Sequence, residues 1–186
     1  NEFGEYMNKE YTDMVKSVEK YGGFWIARYE TSLPSKGIIS STKGQTPMAS
    51  TNWYNMYYYQ ESGINSNNPY SGDSDVVSTM IFGSQWDAML NWVLTGEEAN
   101  KVHTVIGNHE NSRAVTGKYG SDYINNMFDI SSNVLEWTQE ANASTYRVYR
   151  GGYSNMNSNG AASIRYNNTS PYTYYNVGSR FTLYVK

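Results

Sequence analysis

Residues 126–152 decide how the chain folds: Asn126-Met127-Phe128-Asp129-Ile130-Ser131-Ser132-Asn133-Val134-Leu135-Glu136-Trp137-Thr138-Gln139-Glu140, a short polar break, then Tyr146-Arg147-Val148-Tyr149-Arg150-Gly151-Gly152. Asp129, Ser131, Ser132 and Asn133 are turn formers, because their short polar side chains bond the neighbouring backbone. Val134, Leu135 and Trp137 then supply a buried strand. The second half alternates as a strand should, and the double glycine stops it.

Working outward, the pattern Asp129-Ile130-x-x-Asn133-Val134-x-Glu136-Trp137, followed by Arg150-Gly151-Gly152, resembles the formylglycine-generating-enzyme-like branch of the C-type-lectin fold. That branch usually shows Asn-Ile-x-Gly-Asn-Val-x-Glu-Trp, Arg-Gly-Gly and a late Gly-Phe-Arg. Here Ser132 stands in place of the glycine, so the turn must hold a side chain. The late motif reads Gly178-Ser179-Arg180, which removes an apolar plug. The phrase Tyr21-Gly22-Gly23-Phe24-Trp25-Ile26-Ala27-Arg28-Tyr29-Glu30 is similar to the opening of the family domain. The resemblance implies an α+β, C-type-lectin-like fold: a small twisted antiparallel sheet with two or three helices and long loops. It also implies that the first and last strands pair.

The chain of 186 residues suits one domain, residues 1–186, with a sizeable core. Lysine and arginine number 14 against 17 acids, a net charge of -3, so no basic footprint points to nucleic acid. No apolar run is long enough to insert in a membrane. The opening Asn1 suggests the C-terminal domain or a processed piece of a longer protein.

Tyr11, Met14, Val15, Val18 and Tyr21 share one face at helical spacing, which predicts a helix over residues 9–21. A strand over residues 24–30, burying Phe24 and Ile26, follows the glycine stop. Residues 32–50 read as polar loop, and a second helix from about Thr51 puts Trp53, Met56, Tyr57 and Gln60 inward. Residues 62–74 are loop, and residues 76–82 form a short buried segment. Ser84 and Asp87 are spaced as a helix cap, and Trp86, Met89, Leu90, Val93 and Leu94 make that helix's apolar face before Gly96. Residues 97–125 carry little pattern, and residues 181–185 read as the final strand.

The chemistry is narrowed mostly by counting. There is no cysteine and only His103 and His109, so the paired-cysteine copper chemistry and the three-histidine iron site of enzymatic relatives are both excluded. No Gly-x-Ser-x-Gly elbow accompanies the histidines. Glu61, Asp73 and Asp75 read as acids of a solvated loop. Asp129 and Glu136 are candidate calcium ligands, since the turn can add carbonyl oxygens and the matching residues bind calcium in metal-binding relatives.

Residues 150–180 carry the candidate ligand-binding segment. Tyr153, Asn155, Asn157, Asn159, Tyr166, Asn167, Asn168, Tyr172, Tyr174 and Tyr175 give it the composition of an antibody paratope, with rigid amphipathic rings and adaptable amides. It resembles the variable region of diversity-generating-retroelement target proteins, in which randomised Asn codons yield Asn, Tyr, Ser and Thr. The expectation is a non-enzymatic receptor or adhesion domain. Its partner is a protein or cell-surface ligand, met outside the cell on a bacterial surface or phage particle. The alternatives are an enzyme of the formylglycine-generating-like family, or a calcium-dependent carbohydrate binder, whose Glu-Pro-Asn or Gln-Pro-Asp signature is absent. The tyrosines and asparagines are expected to be exposed on one surface, with Arg150, Gly151, Gly152, Arg165, Gly178 and Arg180 in the scaffold.

Overall fold

The computed structural model describes residues 2–35, 37–97, 99–102, 112–156 and 161–186. The first helix, α1, runs over Glu2–Tyr21, about two turns longer at its start than the apolar pattern indicates. Its buried stripe is Glu10, Met14 and Ser17, while Tyr11 and Tyr21 are exposed. The apolar face is therefore rotated from the one expected, because two polar residues occupy it.

Strand β1 is only Trp25–Ile26. Phe24 and Ile26 are half-buried rather than buried, since the chain leaves the sheet after two residues. The expected polar loop that follows contains two short strands, β2 (Ser32–Ser35) and β3 (Ile38–Ser40). Helix α2, Trp53–Gln60, buries Trp53, Met56, Tyr57 and Gln60, as its spacing requires. Asn52 caps it by accepting from the Asn55 amide at 3.0 Å.

Strand β4 (Val76–Met80) leads into α3 (Gly83–Leu94). Ser84 lies inside that helix instead of capping it. The cap position is Phe82, whose amide donates to Gln85 Oε1 at 3.1 Å. Trp86, Met89, Leu90 and Val93 are buried and Leu94 is exposed. Two short 3-10 turns, Ala99–Val102 and Gly120–Asp122, are the regular structure described in the patternless stretch.

Strand β5 (Leu135–Ala143) is longer than the turn-and-strand pattern suggested, and β6 (Tyr146–Arg150) ends at the glycines. A strand follows inside the candidate binding segment, β7 (Arg165–Thr169), and then β8 (Val177–Ser179) and β9 (Phe181–Val185). The strands form three sheets instead of one. They are β1-β9-β4, the hairpin β2-β3, and β7-β6-β5-β8, in which β5 and β8 run parallel and the other pairs antiparallel. The first and last strands do pair, Trp25 opposite Leu183 and Ile26 opposite Thr182. The domain is α+β, with three α-helices among the described residues.

Two of the four buried clusters among the described residues make up most of the interior. One gathers α3 on Ile81, Ile124, Met127 and Ile130, and the other packs Trp53, Met56 and Tyr57 on Met80, Leu135, Trp137 and Val177. Both buried helix tryptophans find acceptors for their ring N–H, Thr138 O at 2.7 Å for Trp53 and Ala162 O at 3.0 Å for Trp86. At the end of β6, Gly151 has φ +84°, and a Cβ there would meet Ile130 O at 2.9 Å and the Trp86 ring at 3.3 Å. The position needs both the left-handed backbone and the missing side chain.

Candidate functional site

The turn at residues 126–137 folds as a knot of polar side chains fastened to a buried ion pair. Left-handed backbone falls on Asp129 (φ 66°) and Asn133 (φ 63°), residue types that tolerate it. Ser132 has no such duty. It is fully buried and its hydroxyl donates to Asp122 Oδ2 at 2.7 Å, so the turn has a use for a serine here. Glu30 reaches in from the N-terminal half, accepting from Asn133 Nδ2 at 2.6 Å and the Val134 amide at 3.0 Å.

Glu136 and Arg180 are both fully buried. Arg180 Nε donates to the two Glu136 oxygens at 3.2 and 3.1 Å, and Nη2 to Oε1 at 2.8 Å. Two of the remaining guanidinium hydrogens go to Ala27 O at 2.7 Å and Phe128 O at 2.8 Å. One arginine thus ties the first strand, the turn and the last strand together. Ser179, where an apolar plug was absent from the expected motif, accepts from Gln60 Nε2 and lies 3.3 Å from Met56 Sδ.

These contacts decide the calcium expectation for Asp129 and Glu136. Calcium takes six to eight oxygens, yet Glu136 gives both of its oxygens to a buried cation that would oppose a second one. Asp129 is buried and accepts the Gly117 amide at 2.7 Å. Among the described residues no three His, Cys, Asp or Glu side chains gather in a metal-holding group. The pair does not fit the ion. Burial pushes the Asp129 carboxyl up to about 6, against the Gly117 hydrogen bond and the Arg180 charge. It also raises Glu30 well above the usual carboxylate range, with Asp129 and Glu136 adding to the rise and Arg180 opposing it. His103 and His109 lie outside the described residues, as do Asn157 and Asn159.

The tyrosine-rich segment is held by its backbone. The Ser154 amide donates to Asn133 O at 3.1 Å, and the Ser170 amide to Thr145 O at 2.9 Å. Tyr174 O accepts the Ser50 amide at 2.8 Å, and Asn176 O the Leu135 amide at 2.9 Å. β7 then pairs along its whole length with β6, from Tyr146 opposite Thr169 to Arg150 opposite Arg165. Sequence reasoning missed this strand, because Arg-Tyr-Asn-Asn-Thr has no apolar alternation.

Its side chains face outward. Asn155, Tyr166, Asn167, Tyr172 and Tyr175 are exposed, and Tyr153, Asn168 and Tyr174 are half-buried. Strand alternation places Tyr166 and Asn168 on one face of β7 and Asn167 on the other, so Asn167 does not join the same surface. Arg165, expected in the scaffold, is exposed and reaches Glu140 Oε1, at 2.7 Å from Nε. Arg150, Gly151, Gly152, Gly178 and Arg180 are buried as expected.

A pocket of about 240 Å³ opens on this face. Tyr149, Tyr153, Tyr166 and Tyr174 wall it, and Leu135, Met156 and Val177 contribute its apolar part. Tyr149 was not among the expected site residues. Its place is fixed by register, opposite Trp137 on one side and Tyr166 on the other, with ring centroids at 5.0 and 6.0 Å. Beside the pocket, Asn168 Nδ2 donates to the Tyr174 hydroxyl at 2.6 Å, and Tyr172 lies on Tyr174 with centroids 4.2 Å apart. Burial, then the neighbouring Tyr174, Tyr166 and Tyr153, raises the Tyr149 phenol. The wall is made of phenols, an amide and apolar carbon.

No protein-family model matches the chain, and no curated protein sequence matches it. Among solved structures the chain is similar to the crystal structure of CarF, with a TM-score of 0.50 and 12% sequence identity, over 96% of this chain and 83% of CarF. At that identity the likeness is one of fold, and it carries nothing about what the protein binds or does.

Proposed function

We propose that the chain is a non-enzymatic ligand-binding domain of receptor or adhesion type, built on a C-type-lectin-like fold of the formylglycine-generating-enzyme-like branch. Its tyrosine- and asparagine-bearing surface corresponds to the variable face of diversity-generating-retroelement target proteins. The partner is a protein or cell-surface ligand, and the place of action is outside the cell, on a bacterial surface or a phage particle.

The observation that carries the proposal is the division of labour in residues 150–180. Main-chain hydrogen bonds fasten the segment to the scaffold, while Asn155, Tyr166, Asn167, Tyr172 and Tyr175 stand in solvent. A backbone held by its own amides and carbonyls keeps its shape whichever side chains it carries. Exposed tyrosines then offer apolar area that a partner recovers on covering it, and aromatic anchors carry much of an interface's energy. The pocket walled by four tyrosines gives such a surface a concave centre.

The test is a library randomised at Asn155, Tyr166, Tyr172 and Tyr175, displayed and selected against a purified protein. Most members are expected to fold, and binders to emerge. A library that is largely unfolded contradicts the proposal. The diversification is checked separately in the neighbouring DNA, where a reverse transcriptase gene and a near-copy of this segment, mismatched at adenines, are expected.

A further inference from the structure

Glu10 and Glu61 meet inside the protein without a cation. Glu10 comes from the middle of α1 and Glu61 from the residue after α2, and they are 5% and 1% exposed. The two acids line one pocket, and Glu61 Oε2 is buried there with no donor of its own. Glu10 accepts from the Tyr57 hydroxyl at 2.7 Å, and Glu61 Oε1 accepts the Gly63 amide at 2.8 Å. Gln139 Nε2 lies 3.5 Å from Glu10 Oε1. Two neighbouring carboxylates repel unless one carries a hydrogen, and a hydrogen bond between them requires a proton. The three acids read from sequence as solvated loop are thus split: Asp73 and Asp75 are exposed, and Glu61 is core.

Among the described residues, the cations lining the same pocket, Lys9 and Lys186, are already engaged. On α1, Lys9 is paired with Asp13 at 2.5 Å, and both belong to the solvent-facing rim. From the C-terminus, Lys186 donates to Asp73 O. The other titratable neighbours are phenols, Tyr6 on α1, Tyr57 on α2 and Tyr184 on β9, and each is raised, by burial first and then by the acids. Above the pair a pocket of about 360 Å³, lined by Tyr6, Glu10, Glu61 and Tyr184 among others, connects it with solvent. Of the three fully buried residues of α1, Glu10, Met14 and Ser17, one alone is apolar, so the state of Glu10 weighs heavily on how the helix sits.

We propose that α1 is fastened to the domain by a proton shared between Glu10 and Glu61, a latch that closes in mild acid and loosens as the pH rises. Burial raises Glu10 well above the usual carboxylate range, and Glu61 adds to the rise. The sign follows: a raised folded-state pKa means docking of the helix takes up a proton, so docking weakens as pH climbs through that value. Loosening α1 opens the pocket it walls and exposes Tyr57.

The experiment is hydrogen exchange of α1 amides from about pH 5 to about pH 9, corrected for intrinsic rate and referred to β9 in the same molecule. In the wild-type chain, α1 protection is expected to fall about tenfold per pH unit relative to β9 once the pair loses its proton. In Glu10→Gln, and independently in Glu61→Gln, an amide supplies the bridging hydrogen at every pH, and the fall is expected to vanish. Wild-type α1 protection that stays level with β9, or an undiminished fall in both variants, overturns the latch. Should one variant fail to fold, the other reads the same outcome.

Discussion

Arg180 meets Glu136 through hydrogen bonds from Nε and Nη2, while Glu30 and Asp129 stand close enough to act on its charge. Three buried acids around one buried cation make the arginine hard to replace. Arg180→Met leaves Glu136 without its donors and strands two backbone carbonyls. Loss of one partner of a buried pair costs about 3–5 kcal/mol, so the variant is expected to lose much of its stability in urea melts. Arg165→Ala, which removes an exposed partner of Glu140, is expected to cost less than about 1 kcal/mol in the same melts. The sequence pointed to Arg180 as scaffold through Gly178-Ser179-Arg180, and it grouped Arg165 with it. The difference was not legible there, because burial of a charge depends on what the other strands bring to it.

Among elements, the turn over residues 126–137 and the strands around it were legible for physical reasons. Val134, Leu135 and Trp137 form a dense apolar run, and α2 repeats its buried residues at helical period, so each writes its inner face into the sequence. β7 writes nothing of the kind. It is an edge strand whose Tyr166 and Asn167 are exposed on opposite faces, held by the β6 backbone more than by its own side chains. The start of α1 differs: Phe3, Tyr6 and Met7 do stand at helical spacing there, but Gly4 among them interrupts the pattern. The candidate site was thus half visible: composition marked Tyr166, Tyr172 and Tyr174, while only register supplied Tyr149. The turn's candidate metal role has its own check. With both Glu136 oxygens on Arg180, melting temperature is expected to be the same in excess calcium and in chelator. A rise with calcium that follows mass action would restore Asp129 and Glu136 as ligands.

For the whole molecule, buried acids outnumber their cations. Glu10, Glu30, Asp129 and Glu136 are all raised, burial being the largest cause in each. Asp73, held low by two backbone amides, pulls the other way from the surface. A carboxyl with a raised folded-state pKa contributes stability that is full below its unfolded value and is lost as pH rises through the folded one. For Asp129 that window runs from 3.8 to about 6. The protein is therefore expected to melt at a higher temperature near about pH 5 than near about pH 8, and Asp129→Asn is expected to flatten the lower part of that slope. Equal melting temperatures across the range would mean that the buried acids remain ionised.

The central claim at this scale is that the tyrosine-bearing face is carried by the fold and does not build it. Tyr166, Tyr172 and Tyr175 are 48%, 48% and 64% exposed, and the backbone beneath them is bonded to β6 and to the loop before α2. Surface substitutions usually cost under about 0.5 kcal/mol each, and 1 kcal/mol moves the melting temperature of a domain this size by roughly 2–4 °C. The direct measurement is the melting temperature of the triple variant Tyr166→Ala, Tyr172→Ala, Tyr175→Ala. It is expected to lie within about 6 °C of the wild-type value. A loss of more than about 10 °C, or failure to fold, would place these tyrosines in the structural core and contradict the account.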